Sequence, residues 1–94
     1  MTQRSATVDS GGRGGDVTYS DPSGTLRFPW EVTEFGYEIF VPTRERWEQD
    51  TGLPLAERDA VLACLGEAFV AKRGGSRATF TIVETPYPVV QIRP

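Results

Sequence analysis

The sequence predicts an α+β domain: one mainly antiparallel sheet of four or five strands, with one long and one short helix on one face, in the order β-β-β-α-α-β-β. Three observations predict it. Apolar residues alternate with polar ones over residues 26–33 and 37–41, and again over 78–83 and 89–93, as in strands with one buried face. Between these pairs, residues 54–73 carry apolar side chains at helical spacing, bounded by Pro54 and by a Gly-Gly pair. The 94 residues fill one core, and two helices can shield only one face of such a sheet.

Residues 1–15, MTQRSATVDSGGRGG, offer only Met1 and Val8 as large apolar side chains beside four glycines. Ordering them costs backbone entropy for little burial, so they are expected to form a flexible tail, with residues 16–94 as the single domain. Val17 and Tyr19 alternate with polar neighbours in a short first strand, and DPSG follows as a tight turn with Pro22 and Gly24 in suitable positions. Leu26, Phe28, Trp30 and Val32 then share one face of a strand. Pro29 lacks an amide donor, which argues for an edge position or a bulge. After TEFG the pattern returns with Tyr37, Ile39 and Val41. Pairing Val32 with Tyr37 sets Trp30 against Ile39, Phe28 against Val41, and Glu31 against Glu38 on the other face.

Thr43 suits the cap of a short helix that ends at Gly52 and is anchored by Trp47, with Arg44–Glu48 and Arg46–Asp50 at i,i+4 spacing. Pro54 opens the long helix. Leu55, Leu62, Leu65 and Phe69, with Val61, Cys64 and Ala68, make its apolar stripe, and Trp30 and Leu62 are expected to meet in the core. Gly66 lies beside the stripe, where it weakens the helix unless it admits a close neighbour. In the last hairpin, Ala78, Phe80 and Ile82 share a face with Val90 and Ile92 only if the loop around Thr85-Pro86-Tyr87 has an odd number of residues.

Composition closes several functional classes. The chain has no histidine, which removes the commonest metal ligand and the commonest acid-base group near neutral pH, so neither a metal nor a cofactor is expected. Its single cysteine, Cys64, permits no intramolecular disulfide and lies on the buried helical stripe with nothing to activate it. The longest apolar stretch, AVLACLGEAFVA, is too short for a membrane span and contains Glu67, and the first residues lack the apolar core of a secretion signal. These features point to a cytoplasmic protein. Ten basic residues against thirteen acidic ones, a net charge of −3, disfavour a nucleic-acid partner.

No catalytic set of residues emerges. The helix-free face of the sheet, carrying Phe40, Thr81, Val83, Val89 and Gln91, is expected to stay open to water and to serve as an interface. The leading expectation is therefore a small non-enzymatic binding protein that acts through this face, as a homodimer or with another protein. A first alternative is a small-molecule binder or simple acid-base enzyme using Glu31 and Glu38, with an aromatic cleft of Trp30, Tyr37 and Trp47. A second is weak nucleic-acid binding through the GGRGG tail with Arg73 and Arg77. Tyr87, set between two prolines, is a candidate recognition aromatic at a loop tip.

Overall fold

The computed structural model describes residues 3–9, 12–74 and 77–93. Among them the chain forms β1 (Ser5–Val8), β2 (Gly14–Asp21), β3 (Gly24–Thr33), β4 (Gly36–Phe40), α1 (Trp47–Thr51), α2 (Arg58–Phe69), β5 (Thr79–Val83) and β6 (Val89–Arg93). A 3₁₀ turn, Leu55–Glu57, leads into α2, and a π-helical turn, Val70–Gly74, leads out of it. All six strands join one antiparallel sheet in the order β1-β2-β3-β4-β6-β5. The α+β class and the helical cover hold as expected, while the strand count and order are corrected.

The sheet is curled. Six strands spaced about 4.8 Å apart span about 24 Å from edge to edge, roughly twice the width of a helix. Yet α2 packs against β1 and β2 at one side and against β5 and β6 at the other. Only a sheet wrapped around the helix as a half-barrel meets both conditions.

The additional strand comes from the segment expected to be a tail. Ser5–Val8 pairs with Val17–Ser20, with Val8 opposite Val17 and Ala6 opposite Tyr19. Val8 is buried at the edge of the core and Ala6 packs against it. Arg4 holds the start of the strand through an ion pair with Glu57 at 2.9 Å. The glycines serve the hairpin, since a Cβ on Gly15 would overlap the Asp9 carboxylate. That carboxylate accepts a hydrogen bond from the Asp16 amide at 3.0 Å. Of the expected tail, residues 1, 2, 10 and 11 lie outside the described residues. Val8→Ser is expected to cost about 1.5 kcal/mol in a denaturant titration, the scale of losing a buried valine's apolar burial. A change under about 0.5 kcal/mol would mark the segment as unpacked.

The β3–β4 hairpin takes the expected register, with Trp30 opposite Ile39, Glu31 opposite Glu38 and Val32 opposite Tyr37. Phe28 and Val41 fall outside this ladder, because β4 ends at Phe40 and the Val41 amide turns to the Pro88 carbonyl. Pro29 is neither on an edge strand nor at a bulge. It pairs with Asp16 of β2, one residue beyond the point where β4 stops pairing, so a missing amide is tolerated on that side. In the last hairpin Val83 pairs with Val89, which leaves the odd-numbered loop 84–88 and puts Phe80, Ile82, Val90 and Ile92 on the helix side.

Thr43 does not cap α1, which begins at Trp47 after Arg46; its Oγ1 accepts the Arg46 amide in the preceding turn, while Arg46 pairs with Asp50 at 3.1 Å and Gly52 ends α1 with a φ of 75° as expected. Trp47 is fully buried and stacks on Phe28 at 6.4 Å. Trp30, Tyr37 and Phe69 form a second aromatic group, with Phe69 5.2 Å from Trp30 and 4.9 Å from Tyr37. Trp30 and Leu62 belong to the same buried cluster. A Cβ on Gly66 would lie 2.5 Å from the Phe80 ring, so this glycine lets α2 sit directly on β5. Leu55 departs from expectation: it lies in the 3₁₀ turn ahead of the α-helix, off the apolar stripe, and is 38% exposed.

Its place in the interior goes to a charge. Arg58, at the start of α2, is fully buried. Its Nη1 and Nη2 donate to the two carboxylate oxygens of Glu84 at 2.7 and 2.9 Å, and Nη2 also donates to the Pro42 carbonyl at 3.0 Å. The guanidinium stands 6.0 Å from the Trp47 ring centre. The fork ties α2 to the first residue of the loop that carries Tyr87.

Candidate functional site

Period-2 alternation places one side of the sheet against α2 and the other side away from it. On the helix-free side, Glu31, Glu38, Gln91 and Thr81 align in a row across β3, β4, β6 and β5. Phe40, Val89 and Val83 form the adjacent row. The five residues expected at the interface therefore share one face, with the two glutamates beside them.

The loop between β5 and β6 adds a side chain to this face. The Tyr87 hydroxyl donates to Glu38 Oε1 at 3.1 Å, and its ring is tilted against Phe40 with centres 5.9 Å apart. Tyr87 remains 47% exposed. Its phenol is shifted up from the ordinary tyrosine range, because it donates to the Glu38 carboxylate and its own ionisation would set a second negative charge there. Val89 differs from the expectation of an open side chain. It is 2% exposed, flanked in its row by Phe40 and Val83 and next to the Phe40–Tyr87 ring pair. Phe40, Val83 and Gln91 are half-buried, and Thr81 is exposed.

The carboxylates stand without a cation. Glu31 and Glu38 are directly opposed, an arrangement that like charges on neighbouring strands disfavour by a few tenths to about 1 kcal/mol. Among the described residues neither makes an ion pair. Arg93 places its guanidinium 5.9 Å from the Phe35 ring centre, and Arg27 sits four residues before Glu31 on β3. The centre of the face is thus a pair of hydrogen-bond-accepting anions bordered by two aromatic rings.

Trp30, Tyr37 and Trp47 do not join the glutamates. Trp30 and Trp47 are buried in the core at 2% and 0% exposure, on the side of the sheet opposite Glu31 and Glu38, so the expected aromatic cleft is absent. Alternation along β3 alone forbids it, since residues 30 and 31 point to opposite faces. Arg73 is also engaged in packing, with its guanidinium 4.8 Å from the Trp30 ring centre and a hydrogen bond to the Gly12 carbonyl at 3.3 Å. Arg77 is exposed. Cys64 is half-buried, and burial pushes its thiol up from the ordinary range, away from a reactive thiolate.

Arg58 and Glu84 were not legible as a pair, and Glu84 opens the loop that carries Tyr87. The only sequence signal was an arginine near the start of an amphipathic helix, where the helix dipole favours an acid. Among the described residues no group of three His, Cys, Asp or Glu side chains could hold a metal ion, and no helix is long and apolar enough to cross a membrane. No family model, curated protein or solved structure matches the chain.

Proposed function

We propose that this protein is non-enzymatic and works by binding through the helix-free face of its sheet, as a homodimer whose two faces engage a cationic segment of a partner protein. The observation that carries the proposal is the directly opposed, unneutralised pair Glu31 and Glu38 beside the exposed Tyr87 ring. A lysine or arginine placed there relieves the repulsion between the carboxylates and rests its charge on an aromatic face, at about 0.5 to 1 kcal/mol for the ring contact alone. Charged groups that give up water need such compensation, and the rim of the same face supplies polar Gln91 and Thr81 for hydrogen bonds.

An NMR titration tests this. A short peptide with two arginines, added to isotope-labelled protein, is expected to shift the resonances of Glu31, Glu38, Tyr87 and Gln91, and to do so less at high salt. The Glu31→Gln/Glu38→Gln variant should lose the response. Equal shifts from an acidic peptide, or shifts confined to residues on the helix side, would overturn the proposal.

A further inference from the structure

We infer that β5 is a strand-addition edge at which a second copy of this chain pairs antiparallel with the first, joining two six-stranded sheets into one. This rests on the self-association proposed above and names the surface that produces it. It leaves the glutamate centres of both faces uncovered and on the same side.

β5 ends the sheet: it pairs with β6, and among the described residues no backbone hydrogen bond reaches it from any other strand. Alternate residues of an edge strand turn their N–H and C=O groups outward, and exposed edges are commonly blunted by lysine, proline or an inward charge. Thr79-Phe80-Thr81-Ile82-Val83 has none of these. The opposite edge, β1, is four residues long and is flanked by Arg4, tied to Glu57, and by Asp9.

The strand is complementary to itself. A two-fold axis through Thr81 sets Phe80 against the partner's Ile82 on the helix side, and Thr79 against the partner's Val83 on the open side. No like charges meet across this antiparallel register, in which Arg77 falls opposite the partner's Thr85 and Glu84 opposite the partner's Ala78. A parallel alignment would bring like charges together. Beside the edge lies an open groove of about 430 Å³ lined by Glu67, Val70, Ala71, Ala78, Thr79 and Phe80. The partner's Ile82, opposite Phe80, comes to its border. Main-chain bonds supply affinity and the groove supplies side-chain fit, the division found wherever a strand is added to a sheet.

Five paired residues make a small interface, so a dissociation constant of micromolar order is expected. Sedimentation equilibrium on the unmodified chain between about 10 and 500 μM should show a monomer–dimer equilibrium in that range. Thr81→Lys sets two lysines against each other at the axis while occupying an exposed position in the monomer, and should weaken the dimer at least about tenfold. Ala71→Glu, an exposed site in the groove, should do the same, and Arg27→Glu on distant β3 should not. A dimer that survives Thr81→Lys and Ala71→Glu overturns edge pairing, and if Arg27→Glu abolishes that dimer, self-association stands through another part of the face. A monomer at every concentration overturns both readings.

Discussion

Truncating Glu84 to alanine is expected to cost about 3 kcal/mol, far more than a partly exposed carboxylate usually contributes. The cost does not lie in Glu84 itself, whose side chain is 42% exposed, but in Arg58, whose side chain is fully buried. Without Glu84 the guanidinium keeps only the Pro42 carbonyl among its hydrogen-bond partners here, and a buried charge with poor compensation is among the most destabilising defects. Solvent reaching the site through the exposed end of Glu84 places the figure at the lower end of the usual 3 to 5 kcal/mol. Arg58→Met in the same background should recover much of the loss, since a buried pair exchanged for an apolar side chain of similar length is often neutral. A double-mutant cycle in urea separates these contributions. Two hydrogen bonds from Arg58 hold the Glu84 carboxyl below its ordinary range in the folded protein. Its stabilisation is therefore complete above the unfolded-state value and is lost as pH falls through the folded one, so the gap between the unmodified chain and Glu84→Ala should close below about pH 4.5. A Glu84→Ala variant within about 0.5 kcal/mol of the unmodified chain would show that Arg58 is satisfied in some other way.

The same variant bears on function, because Glu84 begins the loop that delivers Tyr87 to Glu38 and Phe40. The pair on the helix side of the sheet lies three residues along the chain from an aromatic on the open side. This link could not be read from the sequence. Alternation locates Phe40, Val83, Val89 and Gln91 on one face with Glu31 and Glu38, because a one-residue slip would turn the whole apolar set outward, whereas a two-residue slip would not, so the direct opposition of the two glutamates is read from the register of the fold. Long-range pairing between Arg58 and Glu84, 26 residues apart, leaves no such periodic trace. Nor does β1: Ala6 and Val8 alternate correctly, but a single valine among glycines and small polar residues falls below what pattern alone can separate from a linker. Its stabilisation comes from α2 and from Arg4–Glu57, which only the fold brings within reach. Leu55 fails for the reverse reason, since it matches the helical stripe by spacing but precedes the α-helical turns. Val89 is buried opposite Phe40, whose ring meets Tyr87, and a loop conformation is outside what period-2 reasoning addresses.

Phe69→Ala is expected to be the most damaging single truncation, at about 3 to 5 kcal/mol. Phe69 is fully buried on the last turn of α2, with its ring nearly perpendicular to Trp30 at 78° and tilted by 53° against Tyr37. Edge-to-face contacts of this kind add about 0.5 to 1.5 kcal/mol to the area each ring buries, and alanine forfeits both contacts together with the volume between them. The site cannot collapse easily. Trp30 is fixed by β3 with the Arg73 guanidinium near its ring, and Tyr37 is fixed in β4 by pairing with Val32 and Ile92. In a domain of this size, whose total stability is of the order of 5 to 10 kcal/mol, such a loss approaches the unfolding threshold at physiological temperature. Phe69→Leu keeps most of the volume and should cost under about 2 kcal/mol, which makes it the variant for spectroscopy. The two tryptophans report different ends of the core, since Trp47 stacks on Phe28 rather than on this group. Read in a Trp47→Phe background, Trp30 emission should move to longer wavelength in Phe69→Leu as the ring loses its edge contact and water approaches. Unchanged emission with a stability loss under about 1 kcal/mol would mean that the end of α2 does not pack on the β3–β4 hairpin, and the half-barrel wrapped around the helix would have to be redrawn.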